Sequence, residues 1–212
     1  MKPEQILKKM TLQQKVAFLS GDGDWHTKAI PELGVQAVAM ADGPNGLRIE
    51  TNQLTRDSAC LKHFALNNQE FCRMTVNVRV GQRPLHEIYL KAFEKTVREA
   101  HPDTVMSAYN RVNGEQMAES SLLRDVLRGA WGFDGVVISD WGSVSQRDGG
   151  VAVGMDLEMP DSHGKFDGDV YAALEDGRLS EQQLDDCVLR LLQFAETCAQ
   201  RRQNAQPSQP MD

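Results

Sequence analysis

The sequence predicts an α/β fold built on a parallel sheet with helical crossovers, and three observations carry that reading. Apolar strand-like runs alternate with amphipathic helical stretches along most of the chain, the pattern of a parallel sheet covered by helices. Four of the strand runs finish in polar or ionisable clusters, at Asp42, Lys62-His63, Tyr109-Asn110 and Asp140-Trp141. Strands of a parallel sheet all point the same way, so these clusters converge on one rim, where α/β proteins build their sites. Finally, 212 residues with 41% hydrophobic and 25% charged side chains suit one domain with a real core. That domain is expected over 1–200, with a Gln/Pro/Ser-rich disordered tail over 201–212.

Each element has its own signal. Glu4–Leu19 has helical spacing broken near Thr11, which reads as a second N-cap. Val35–Ala41 is a short apolar run stopped by Asp42-Gly43-Pro44, a strand and then a turn. Ala59–Ala65 follows the same design and ends in Asn67-Asn68-Gln69-Glu70. Met74–Val80 alternates with period two, as a half-exposed strand does. Pro84, at a first helical position, opens an amphipathic helix over Leu85–Ala100. Thr104–Tyr109 reads as a strand, and Ser120 or Ser121 caps a helix running through Trp131. Gly135–Ser139 is a buried strand and Val151–Met159 a further short one ending at Pro160. Ser180-Glu-Gln-Gln opens the long helix Ser180–Ala199 with a capping box.

Composition excludes several roles. A net charge of −7, with no basic cluster longer than Arg201-Arg202, argues against nucleic acid and anionic membranes as partners. No window approaches the length of a membrane span, and the first residues hold no continuous apolar core. The four cysteines, Cys60, Cys72, Cys187 and Cys198, form no CxxC pair and read as reduced thiols of a cytoplasmic protein. No His/Cys/Asp set has metal spacing, and Gly21-Asp22-Gly23 lacks the strand and third glycine of a phosphate loop, so neither metal nor cofactor is expected.

The chemistry-bearing residues are few. Asp140 follows a buried strand, which puts its carboxylate at a desolvated rim beside Trp141, a flat apolar platform suited to a sugar's C–H face. It reads equally as the N-cap of a following helix. Lys62 and His63 are placed to hydrogen-bond hydroxyls or tune a carboxylate, or else are a snorkelling lysine and a core histidine. Asp42 alone is a turn residue, and Tyr109 alone a core one. Asp156 and Glu158, two apart on an extended run, share a face as paired carboxylates or as structural ones. His26 and His163 have weaker claims.

At these residues the chain resembles glycoside hydrolase family 3, in its β-glucosidase branch. The resemblance rests on ordered stretches: Met10–Val16, Trp25-His-Thr-Lys-Ala-Ile-Pro31, Ala41-Asp-Gly-Pro-Asn-Gly-Leu-Arg48 and Cys60-Leu-Lys-His-Phe-Ala65 with Asn67–Glu70. It continues through Met106-Ser-Ala-Tyr-Asn110, Trp131-Gly-Phe-Asp-Gly-Val-Val-Ile-Ser-Asp-Trp141 and Gly154-Met-Asp-Leu-Glu-Met-Pro160. It implies a (β/α)8 TIM-type barrel and a retaining, exo-acting hydrolase of terminal β-D-glucosyl residues. Asp140 matches the nucleophile of that family. Asp42, Arg48, Lys62, His63 and Tyr109 match residues that hold the terminal sugar, and Trp141 matches an aromatic wall. The partner so implied is a β-glucoside or oligosaccharide.

Two departures from the family shape the expectation. Ile49–Ser58 is too short for the crossover of a dozen or more residues that a parallel pair needs, so a deletion is expected there. That leaves about five barrel strands where eight close a barrel, hence a partial or rearranged barrel. The family's acid/base carboxyl lies in a following domain, and no residue here matches it. The expected activity is accordingly impaired hydrolysis. The alternatives are a non-catalytic carbohydrate-binding remnant and an inactive fragment that forms a homodimer through open sheet edges.

Overall fold

The computed structural model describes residues 1–41 and 58–204. Asp42, Arg48 and most of the expected deletion at 49–58 therefore lie outside the described residues. The chain opens with α1 (Pro3–Leu7) and α2 (Leu12–Phe18). Thr11 caps α2 as its sequence predicts: Gln14 N donates to Thr11 Oγ1 at 3.2 Å, and Thr11 N donates to Gln14 Oε1 at 2.9 Å. A hairpin of β1 (Gly21–Asp22) and β2 (His26–Thr27) follows. Val35–Ala41 is not a strand of the main sheet: it folds back onto this hairpin through single antiparallel bridges, Ile30 to Val35 and His26 to Ala39. The left-handed Gly34 makes that reversal (φ +74°), so the apolar run is spent on the hairpin.

The central sheet is parallel, in the order β3 (Cys60–Phe64), β5 (Thr104–Ser107), β8 (Val136–Ile138). Thr104, Val105 and Met106 pair with Val136, Val137 and Ile138, and Leu61 pairs with Val105 before the register shifts toward Phe64. Two further parallel bridges, Ile138 to Leu157 and Ser20 to Glu158, extend the layer beyond β8. No sheet of the described residues closes on itself, so the α/β fold and its parallel sheet stand while a barrel is not formed by them. Met74–Val80 contributes only β4 (Asn77–Val78), which joins β6 (Arg111–Val112) and β7 (Glu115–Gln116) in a separate small sheet.

Between β4 and β5 the chain runs through α3 (Gln82–Pro84), a π-helical stretch Leu85–Tyr89 and α4 (Lys91–Ala100). A second π-helical stretch, Leu123–Ala130, connects β5 to β8 and ends at Trp131. The strand expected at Val151–Met159 is a correction. Its first part belongs to α5 (Arg147–Ala152), Gly154 turns the chain at φ +84°, and only Leu157 and Glu158 bridge the sheet. Then come α6 (Asp167–Glu175), which no pattern announced, and α7 (Glu181–Asn204). The α7 start is the predicted box, with Gln183 N on Ser180 Oγ at 3.2 Å and Ser180 N on Gln183 Oε1 at 3.0 Å. It runs past Ala199, so residues 201–204 of the expected tail are helical.

Side chains of β8 alternate between two cores, as the two-residue strand period requires. Val136 and Ile138 join Val16, Phe18, Leu157, Val188 and Leu191 beneath α1, α2 and α7. Val137 joins Phe64, Val105, Leu123, Leu127 and Met155 on the other side. The sheet is thus covered on both faces, and its strand ends are left to build a site.

Candidate active site

Asp140 stands two residues past the end of β8, 7% exposed. Its Oδ1 accepts from the Trp141 backbone N–H at 2.8 Å. Its Oδ2 lies 3.5 Å from Nε2 of His63, carried on β3. Between them in the sheet, β5 brings Tyr109, whose hydroxyl donates to the Trp141 carbonyl at 2.9 Å. Burial first, and then the neighbouring Asp140 carboxylate, push the Tyr109 phenol up to about 12. Both act the same way, because a phenolate there would lack water and face a negative charge.

The turn that presents Asp140 is held from below. Ser139 is fully buried, its hydroxyl donates to the Met159 carbonyl at 3.2 Å, and it accepts from Met159 N at 2.9 Å. Gly142 N also donates to the Met159 carbonyl, at 2.9 Å, with Gly142 at φ +75°, where a side chain would be strained. Met159 follows Glu158, whose carboxylate is bound by the buried Arg147. Arg147 also reaches Asp167 at 2.5 Å and Ser162 Oγ at 2.9 Å. Asp156 is held by Arg128 at 2.6 Å, Arg190 at 2.9 Å and Val137 N at 2.7 Å. The structural reading of Asp156 and Glu158 is the one the geometry bears, because arginines already occupy both carboxylates.

The structure therefore brings together His63, Tyr109, Asp140 and Trp141 from three parallel strand ends. Lys62 is exposed on β3 next to His63. Asp42 and Arg48 lie outside the described residues. Asp140 does not cap α5, whose N-cap is Gln146.

Two residues that sequence reasoning passed over join the site. The Arg73 guanidinium lies 4.7 Å from the centre of the Tyr109 ring and pairs with Glu70 at 2.7 Å. The i,i+3 spacing of Glu70 and Arg73 was the available signal, and nothing in it pointed to Tyr109. Trp25 packs on Trp141, ring centres 5.0 Å apart and planes inclined at 41°. Among the described residues no group of three or more His, Cys, Asp or Glu is arranged to hold a metal ion, and no helix is long and apolar enough to cross a membrane.

Known proteins share this arrangement of chain. The thermostable β-glucosidase B of Acetivibrio thermocellus is 32% identical over 293 residues, an alignment that takes in 96% of this chain and 39% of that protein. The exo-α-(1→6)-L-arabinopyranosidase of Bifidobacterium breve is 38% identical over 188 residues, 82% of this chain and 24% of its own length. Among solved structures, β-glucosidase 3B from Thermotoga neapolitana in complex with glucose superposes with a TM-score of 0.85 at 26% identity, covering 93% of this chain and 43% of that one. The chain thus spans well under half the length of these relatives. The profile of the glycosyl hydrolase family 3 N-terminal domain matches residues 45–194, more than half of the chain, and with the β-glucosidase relatives it shows that the chain belongs to glycosyl hydrolase family 3.

Proposed function

We propose that this domain binds the terminal β-D-glucosyl unit of a β-glucoside and supplies the nucleophile of retaining hydrolysis, Asp140. The observation that carries the reading is the Asp140 carboxylate itself, buried at a parallel strand end, faced by His63 and flanked by Tyr109 and Trp141. In that chemistry a carboxylate oxygen bonds to the anomeric carbon as the bond to the leaving oxygen breaks, and the leaving oxygen takes a proton from a second carboxyl about 5–5.5 Å from the first. Water then attacks the anomeric carbon, gives up its proton to that second group, and frees Asp140. The arabinopyranosidase relative acts on a different pyranose, so the identity of the sugar is part of the proposal.

The ion pairs of Asp156 and Glu158 leave neither carboxylate available to protonate a leaving oxygen. They favour two further readings, impaired hydrolysis and sugar binding without turnover, which one experiment separates. The protein is incubated with an activated 2-fluoro glucoside and digested for mass spectrometry. Glycosylation at Asp140, absent in a folded Asp140→Asn variant, supports the nucleophile. Label persisting in that variant refutes the assignment, and glucose binding with no label at all supports the binding reading. An alignment of 293 positions against a chain of 212 residues supports the expected deletion, since the relative carries segments without a counterpart here.

A further inference from the structure

The hairpin β1–β2 is tied into the site rim at several points. Gly21 N donates to the Glu158 carbonyl at 3.0 Å, and Asp161 N donates to the Gly23 carbonyl at 3.0 Å. Lys28 Nζ lies 3.6 Å from Asp161 Oδ1. On its other side, Met40 N donates to the Trp25 carbonyl at 2.7 Å, so the tip is held between two segments. From this fixed tip two contacts reach Trp141. Its indole Nε1–H donates to the Asp24 carbonyl at 3.0 Å, and its ring lies against that of Trp25.

Trp141 is only half-buried, and its backbone already serves Asp140 Oδ1 and the Tyr109 hydroxyl. Its ring is free of those bonds, and an indole on a half-exposed turn has several staggered rotamers open to it. A hydrogen bond from one edge still leaves the plane able to pivot about that edge. A tilted aromatic contact at 5.0 Å removes the pivot, because the two quadrupoles and the shared apolar area favour one inclination.

We propose that Trp25 is a positioning residue, setting the plane of the Trp141 indole beside Asp140 so that the pair offers one aromatic face to the C–H face of a pyranoside. The sugar-binding half of this statement rests on the function proposed above, whereas the ring-positioning half stands on the hairpin alone.

The chain contains three tryptophans, Trp25, Trp131 and Trp141, so its nitrogen-15 spectrum carries three resolvable indole N–H signals. Two variants are compared with the wild type: Trp25→Leu keeps an apolar side chain on the hairpin, and Trp25→Phe keeps an aromatic ring. In Trp25→Leu the Trp141 indole signal is expected to shift and its hydrogen exchange to rise about tenfold, the scale of a lost aromatic pair. Trp25→Phe should recover most of that protection, leaving about a threefold increase. D-glucose should shift the Trp141 signal in the wild type and require about tenfold more sugar to do so in Trp25→Leu. The buried Trp131 signal reports the fold; where Trp25→Leu disturbs it, Trp25→Phe decides. Unchanged Trp141 exchange in the folded variant overturns the proposal. A wild-type Trp141 signal indifferent to D-glucose overturns the sugar-binding function instead, and the exchange comparison still decides the role of Trp25.

Discussion

Replacing Arg147 by methionine is expected to destabilise the protein by about 3–5 kcal/mol, the cost of leaving one buried charge without its partner. The magnitude follows from who is left behind. Arg147 is fully buried and Glu158 is 3% exposed, so Glu158 cannot recover its lost counter-charge from water. Its remaining partner would be the Ser162 hydroxyl at 3.0 Å, a neutral donor. Asp167 loses a contact too, but its side chain is 28% exposed and rehydrates at little cost. Against a typical domain stability of about 5–15 kcal/mol the loss is a large fraction. Urea unfolding, with a slope of roughly 1–3 kcal/mol per molar, should show a midpoint about 2 M lower. The double variant Arg147→Met, Glu158→Leu removes both charges and should regain most of the loss. A single variant within 1 kcal/mol of wild type, or a double variant no better than the single, would refute the reasoning that these charges hold each other.

The Tyr109 phenol, raised by burial and by Asp140 to about 12, keeps its proton in the folded state after an exposed tyrosine has lost it near 10. Folded protein therefore binds more protons in that window, and stability should fall as pH rises from about 10 to about 12. Tyr109→Phe should reduce that slope and remove the Tyr109 component of the phenolate absorbance titration. For Glu115, burial works upward, but hydrogen bonds from Ser121 and Ser120 win and hold its carboxyl below the usual range. Its stabilisation is full above the unfolded value and is lost as pH falls through the folded one. Glu115→Ala should cost about 1 kcal/mol at neutral pH, as loss of a cap on an exposed turn does, and flatten the acid limb of a denaturation profile. Phe71, Met74, Ile88 and Tyr89 are exposed at 83%, 51%, 66% and 37%, and no sheet of the described residues closes on itself, so a homodimer is expected. Light scattering over a hundredfold concentration range checks it, and a concentration-independent monomer would refute it.

Local signals were legible where a few neighbouring residues decide the structure. Thr11 with Gln14 and Ser180 with Gln183 satisfy their helix starts within four residues, and the capping pattern appears directly in the chain. Val136–Ile138 is apolar on both faces, so its strand and the rim position of Asp140 follow from the pattern. Long-range partners left no such trace. Arg147 sits in a polar Ser-Gln-Arg-Asp stretch that reads as surface, and only the arrival of Glu158, Ser162 and Asp167 around it makes burial tolerable. The apolar run Val35–Ala41 looked like a sheet strand because its pattern cannot say which partner it meets. Gly34 and the hairpin claim it first.

The placement of Asp140 draws on both layers of the fold at once. From the side of the second core come β3 and β5, whose ends bring His63 and Tyr109 to the carboxylate and its turn. From the side of the first core come the Ser139 and Gly142 bonds to Met159 and the hairpin contacts to Trp141. In the function proposed above these groups face the sugar ring and its anomeric carbon, and they are carried on elements packed into the two cores. Protonating a leaving oxygen needs a further carboxyl, and Asp156 and Glu158 are committed to arginines that tie helices to the sheet. Freeing either to act as an acid would cost the several kcal/mol that breaking a buried ion pair costs, so the architecture that steadies Asp140, the proposed nucleophile, also holds these two carboxylates in ion pairs.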